Sequence, residues 1–463
     1  MSQDLRTYLS MIEEKGLLTR VKKEVDPLTQ MGTLFSETEK PLIFDNVKDF
    51  PDWRVCGELL TNRDCQAAML GVSKENIIKE LARLIAEGPL KCKKVSTGPV
   101  KEKILLGKDA DLNKIPFIIH SEKDAGRYIG GGINITKDPD TGILNGAVLR
   151  MQIKDSQRTG ILIAPRHTWA DYMKYEERNE PMPMAVAIGQ HPLIDLAACY
   201  CGAYELNEFE LAGRFLGEPV EMVKCETIDL EVPATAEIVI EGTVPPKLRE
   251  EEGPFGEFQL YYSPEVWMNP VFNVTAITMR KDAIYRQWQA TRFGEHQAPG
   301  AILKSANLYE RIKVVEGGID IKDIDMPIWG AGFLVLMSIV PRYEGQVKTV
   351  ILAALSGSFN EPSTVIVVDD DVDIRDPRDV FWALTTRVNP TVDVVTLDNI
   401  RCNSLDNIKP MVSRPGEGHQ RVGGKWGVDA TKPSASRPKE RETFQKANPM
   451  GMGKISLKDV LDD

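Results

Sequence analysis

Between about residues 95 and 280 the chain never sustains one hydrophobic period for long. Short β-rich runs at 147–153, 160–163, 185–188, 236–240 and 271–279 are cut apart by Gly, Pro and Asp. Runs this short cannot bury a helical face. Repeated with turn residues between them, they build an antiparallel barrel or sandwich. The flanks read differently. Residues 4–18 place Leu5, Tyr8, Leu9 and Ile12 at helical spacing with Gly16 near the stop, and 74–87 (KENIIKELARLIAE) is a second helix ending at Gly88-Pro89. A strand is expected at 41–44. Beyond residue 300 a helix at 301–314 precedes strands at 333–340 and 364–368 with a helix at 345–356 between them. A helix at 376–387 and a strand at 392–397 follow. That alternation argues for an α/β unit, so the whole chain is of mixed α+β class.

A length of 463 residues fits two or three domains, and 42% hydrophobic with 27% charged residues is ordinary for a globular chain. The formal net charge is −11 and no long basic stripe is present, which argues against duplex nucleic acid as a partner. The longest apolar run, 329–340, is well short of the roughly 20 residues a membrane helix needs and reads as a buried strand. The N-terminus has acidic residues where a signal peptide would carry basic and apolar regions. Seven scattered cysteines form no C-x-x-C pair, which disfavours disulfides and structural zinc and makes a reducing cytoplasm the default; Cys199-x-Cys201 is the one close pair. After Arg414 the chain is rich in Gly, Lys and Pro and ends in a helix-like ISLKDVLDD, a tail expected to pack on a neighbouring subunit or stay mobile.

The most informative segment for chemistry is 250–257, EEEGPFGE. Residues five apart on a straight strand face opposite sides, but a bend at Gly253-Pro254 brings Glu252 and Glu257 to one cavity. Phe255 and Phe258 would then desolvate one carboxylate and raise its pKa, while a nearby Arg keeps the other ionised. Read in isolation, the same residues also fit a solvated acidic turn. Counter-charges are offered by NGAVLR (145–150), where Asn145 and Arg150 bracket an apolar run, and by PRHTW (165–169), which carries one of five histidines. Glu208 opens a helix (EFELAGRFL), where a carboxylate also serves simply to complement the dipole. Asn145, His167 and Glu208 together supply a mixed O/N set suited to Mn or Mg, although no spacing rule unites them. Gly130-Gly131-Gly132 lacks a nucleotide-loop pattern and is expected to be a sharp turn entering a strand. The acidic run Asp369–Asp373 is expected to be a strand terminus leading to a helix cap.

LRTYLSMIEEKGLLTRVKKEVDP, NGAVLR, PRHTW, ELAGRFLGEP, VPATAEIVIEG, EEGPFGE and VVDDDVDIRDPRDVFWALTTRVNP stand here in the same order as in the UbiD family of prenylated-flavin-dependent reversible decarboxylases. The chain resembles that family from about residue 4 to about 432. The resemblance implies an N-terminal α/β segment (1–100) and a split β-barrel like that of flavin reductases (101–300) carrying prenylated FMN. It further implies a helical linker (301–315), a C-terminal α/β oligomerisation domain (316–432) and a tail (433–463), assembled as a homodimer or homohexamer. The family's catalytic set falls on Arg150, Glu252 and Glu257. Its metal set, a Mn²⁺ accompanied by K⁺ that ties the flavin phosphate to the protein, falls on Asn145, His167 and Glu208. Val148, Leu149, Arg150 and Arg166 join that set as cofactor contacts, with Lys425 a further possible phosphate contact.

In that chemistry the modified flavin accepts the electron pair left when CO₂ departs from an sp² carbon. Glu257 returns a proton to the carbon, and Arg150 pairs with Glu252 and orients the substrate carboxylate. The implied substrate is an unsaturated, aromatic or heteroaromatic carboxylic acid, and the implied partner a flavin prenyltransferase supplying the cofactor. The competing readings are a flavin oxidoreductase using ordinary FMN and a non-catalytic subunit of a carboxylase complex. Two departures from the family pattern bear on the pocket. Many relatives have Gly before Tyr where this chain has Leu260-Tyr261, and the segment 290–296 carries extra charge.

Overall fold

The computed structural model describes residues 4–262, 267–290, 294–356, 362–414, 418–456 and 459–460. Its organising element is a sheet of ten strands: β1 (Lys103–Leu106), β2 (Tyr128–Ile129), β3 (Ile133–Lys137), β4 (Leu144–Val148), β5 (Met151–Ile153), β6 (Arg158–Ile161), β7 (Met182–Ile188), β8 (Ile238–Val244), β9 (Arg249–Glu252) and β10 (Trp267–Met279). Their order is β2-β5-β6-β10-β8-β7-β3-β4, with β9 and β1 also pairing on β10, and the pairings are antiparallel.

That order forces a curl. β4 and β5 stand six places apart in the sheet, about 29 Å if it were flat. Yet Leu149 and Arg150 alone join them, and the three Cα steps from Val148 to Met151 span at most about 11 Å. The sheet therefore rolls until its two ends approach, with Arg150 in the opening. The expected single strand at 147–153 is in fact two strands broken at this point.

Both faces of the sheet are covered. Along β7, Met182, Met184, Val186 and Ile188 enter one hydrophobic core, while Ala185 and Ala187 enter the other, on the period of two. The second core includes Leu5, Tyr8, Leu9 and Ile12 of the helix Leu5–Glu14, whose N-terminus is capped by Asp4, as the sequence spacing implies. Where β8 meets β10 the register shifts between Glu241 and Gly242, and a Cβ at Gly242 would collide with the Asn273 carbonyl oxygen. Gly130–Gly132 bend into β3 as expected, and close approach adds a second reason for glycine there. A side chain at Gly131 would collide with the Trp288 ring, and one at Gly132 with Val186.

Helices α1 (His167–Glu177) and α2 (Glu208–Leu216) lie beside this sheet, and the long α3 (Ala298–Val315) leads to a second one. The latter runs β11 (Asp320–Asp325), β12 (Leu334–Val340), β13 (Thr364–Val368), β16 (Gly418–Ala430) and β14 (Val394–Cys402), with β15 (Met411–Arg414) on β16. Its β12, β13 and β16 are parallel, with α4 (Gln346–Leu355) and α5 (Pro377–Arg387) as connections. The apolar run at 329–340 resolves into a short 3₁₀ turn, Ile328–Gly330, followed by the buried strand β12.

The acidic run after β13 is an ion-pair hub, Asp369 meeting Arg441 at 2.5 Å and Asp371 meeting Arg387 at 2.7 Å. All seven cysteines are free, and among the described residues no helix is long and apolar enough to cross a membrane. Of the helix-like ending 455–463, residues 457–458 and 461–463 lie outside the described residues. Helices Met31–Ser36, Arg63–Leu70 and Pro192–Ala198 carry no clear signal in the sequence.

The Gly242 contact is with backbone, which cannot rotate away. Gly242→Ala is expected to cost about 1–3 kcal/mol, read as a lower urea midpoint at unchanged m-value.

Candidate active site

Arg150 is fixed by the two-residue link across the sheet opening, and from there its guanidinium reaches the bend after β9. Nε and Nη2 donate to the two oxygens of Glu252 at 3.1 and 2.8 Å, a bidentate pair, and Nη1 donates to Glu257. The bend is made by Gly253, whose φ of 97° belongs to the left-handed region that glycine favours. All three charged groups are buried, Glu252 completely. Asn269 on β10 donates to Glu252 Oε2 at 3.1 Å, and the Phe255 ring lies 5.0 Å from the guanidinium carbon. Phe258 turns instead toward Phe333, so Phe255 is the ring that meets the charged set.

Asn145, His167 and Glu208 come from β4 and from the first positions of α1 and α2. Neighbouring hydrogen bonds tie them together. The buried Glu208 carboxylate accepts from the Gly146 amide at 2.8 Å, and Asn145 Nδ2 donates to Thr168 Oγ1 at 2.9 Å and to Thr136 Oγ1 at 3.3 Å. Burial pushes the Glu208 carboxyl up to about 8, with Asp171 adding a smaller upward push. Burial, and then the Arg166 charge, lower His167, which favours the neutral imidazole that ligates metals. An amide, a neutral imidazole and a buried carboxylate at helix starts form a donor set that fits a hard divalent cation, whose charge would offset the burial of Glu208.

These groups face one cavity of about 520 Å³, the size range of cofactor pockets. Asn145, Val148, Leu149, Arg150, Arg166, His167, Glu208 and Glu257 all line it; Glu252 stands behind Arg150, and Lys425 is not part of the lining. Arg166 donates to Cys201 Sγ at 2.7 Å, which places the Cys199-x-Cys201 pair at the same cavity.

Three domain models of one family, described as 3-octaprenyl-4-hydroxybenzoate carboxy-lyase, match in order: the N-terminal domain at 9–85, the Rift-related domain at 93–292 and the C-terminal domain at 298–430. The chain belongs to the UbiD family. The UbiD-class enzyme HmfF of Pelotomaculum thermopropionicum, solved in complex with FMN, is 37% identical, with 99% of this chain and 100% of that one covered at a TM-score of 0.89. An evolved dimeric form of HmfF in complex with prFMN is 36% identical over the same shares, with a TM-score of 0.87. The vanillic acid decarboxylase of Sedimentibacter hydroxybenzoicus in its open form is 30% identical, covering 98% and 97%, with a TM-score of 0.82. Anhydromevalonate phosphate decarboxylase of Methanosarcina mazei is 31% identical over 96% of this chain and 98% of its own length.

This UbiD-family cavity has further walls that sequence reasoning did not assign. Trp288, just after the strand Ile284–Gln287 of a separate four-stranded sheet, and His296, just before α3, line it, as do residues 401–405 from the end of β14. His296 Nε2 donates to the Gly130 carbonyl at 2.8 Å, and burial lowers it to about 4, so the ring is neutral. The sequence marks this position only through the charge of 290–296, of which 291–293 lie outside the described residues. Asp124 carries no motif at all. Its carboxylate accepts from the amides of Gly256, Ser121 and His120, and so anchors the bend that carries Glu257.

Burial raises Asp124 to about 6 from its ordinary 3.8. Between these values the folded state holds a proton that the unfolded state has lost, so this contribution to stability falls as pH rises from about 4 to about 6. Asp124→Asn is expected to flatten that part of the stability–pH curve, measured by urea melts across pH 4–7.

Proposed function

We propose that this chain is a prenylated-FMN-dependent reversible decarboxylase of an unsaturated, aromatic or heteroaromatic carboxylic acid. The observation that carries the reading is Arg150 gripping Glu252 and Glu257 at the wall of a cavity that also gathers Asn145, His167 and Glu208. The FMN and prFMN bound by HmfF support the cofactor, and the vanillic acid relative supports the aromatic class.

When bound, the cofactor supplies an electron sink for the carbon that loses CO₂. The protein does the rest. Glu252, which accepts from Asn269, fixes the guanidinium plane through its bidentate pair. Arg150 then presents positive charge to an anionic substrate in a site that two carboxylates alone would make repulsive. Glu257, held by Arg150, stands at the cavity wall, a position from which a carboxyl returns a proton to the substrate carbon. Phe255 and Trp288 exclude water from that transfer. Asn145, His167 and Glu208 would hold Mn²⁺ against the cofactor phosphate, with K⁺ beside it and Arg166 as a further phosphate contact.

In this reading 101–300 is the flavin-reductase-like split barrel, 301–315 the linker and 316–432 the oligomerisation domain. The assembly is a homodimer or homohexamer in the cytoplasm; an evolved form of the relative HmfF is dimeric. A separate flavin prenyltransferase supplies the cofactor.

Glu257→Gln is expected to lower decarboxylation by at least about 100-fold, the scale of a lost general acid, while keeping bound flavin; full activity in that variant would remove the proton-donor role. His167→Ala is expected to lose metal, measured by elemental analysis, together with retained flavin. Mass spectrometry of the flavin that remains bound in active enzyme separates prenylated from ordinary FMN.

A further inference from the structure

We infer that Gln259 is a positioning residue that makes the place of the Glu257 carboxylate depend on the C-terminal sheet. Glu257 sits at the start of a closed turn. Gly256 pairs with Tyr262 as an isolated bridge, the Glu257 amide donates to the Tyr261 carbonyl at 3.0 Å, and the Leu260 amide donates to the Glu257 carbonyl at 2.9 Å. Closing it puts Leu260 at a φ of 68°, a conformation that a leucine adopts only under restraint from its surroundings.

The restraint comes from two sides. On the first sheet's side, Asp124 accepts from the Gly256 amide at 2.8 Å and the Ala125 amide donates to the Pro254 carbonyl at 2.9 Å. On the other side, Gln259 Nε2 donates to the Leu405 carbonyl at 3.1 Å, and Gln297 Nε2 donates to the Phe258 carbonyl at 2.8 Å. The 403–409 loop is itself held. Arg421 donates to the Ser404 and Lys409 carbonyls, both at 2.7 Å, and Ser363 donates to Asp406 at 2.8 Å. Leu405 also lines the cavity. Gln259 thus bridges the wall that faces Glu257 and the turn that carries it.

Gln259 is buried, and its Oε1 has no hydrogen-bond partner among the described residues. Leaving a buried amide oxygen unsatisfied costs stability that an apolar side chain of the same size would not. The residue therefore contributes through its donor, the bond to Leu405, and not through packing.

The inference rests on the reading of Glu257 as proton donor, and the test separates the two. In the reconstituted holoenzyme, Gln259→Leu is expected to lower kcat about five- to tenfold, the scale of one buried hydrogen bond, with KM within about twofold and bound flavin unchanged. Amide hydrogen exchange across 256–262 should quicken by a similar factor. Wild-type kcat together with wild-type exchange would overturn the inference, as would a loss carried by KM and flavin release.

Gln259→Glu gives an independent arm should the leucine variant fold poorly. A protonated carboxyl donates to the Leu405 carbonyl and an ionised one cannot, so kcat relative to wild type should rise as pH falls. A pH-independent ratio would overturn the inference. A fully active Glu257→Gln would sink the proton-donor reading instead, while the exchange data would still report on the bridge.

Discussion

One guanidinium holding two buried carboxylates is the constraint on which the rest of this molecule depends. Arg150 brings one guanidinium to two carboxyl groups inside the protein, and removing it would take from both the partner they share. Breaking a buried pair of this kind costs about 3–5 kcal/mol, because the remaining charge has no water to return to. The fold is arranged around that need. The sheet rolls until its ends nearly meet, the two-residue link delivers Arg150 to the opening, and the Gly253 bend turns Glu252 and Glu257 toward it. Asn269 and Phe255 complete the surroundings, the first by hydrogen bonding and the second with its ring.

The second constellation is built on a different principle. Asn145, His167 and Glu208 come from a strand and two helix starts, and residues adjacent to them carry the hydrogen bonds that set their spacing. Thr168, next to His167, meets Asn145, and Gly146, next to Asn145, meets Glu208. Neighbouring backbone and hydroxyl groups therefore fix the geometry, which leaves the metal-type donors facing the cavity. The same cavity receives Arg150 and Glu257, so the charged set and the metal-type donors share one space.

Much of this was legible along the chain where a local rule operates. The opening helix follows from the spacing of Leu5, Tyr8, Leu9 and Ile12, and the start of α2 from Asn207 as its cap. The convergence of Glu252 and Glu257 follows from the Gly-Pro pair between them, which no straight strand accommodates. The motifs that mark the UbiD family named the six polar residues in advance. Other features are non-local and left no trace in the sequence. The break at Leu149-Arg150 reflects the closing of the sheet, since the apolar run itself would continue as a strand. The need for Gly131 is visible only once Trp288 stands against it. Asp124 acts through three backbone amides, and the 401–405 wall comes from a strand end far along the chain.

That shared wall has an evolutionary consequence. Residues 401–405 arrive only after the long helix α3, so the reaction chamber is assembled from two stretches of polypeptide that can diverge at different rates. Exchange of everything beyond α3 between related genes would keep the guanidinium, its acids and the metal-type donors in the chain but would replace Leu405, whose carbonyl Gln259 meets. It would therefore transplant part of the lining and, with it, one of the two restraints on the turn that carries Glu257.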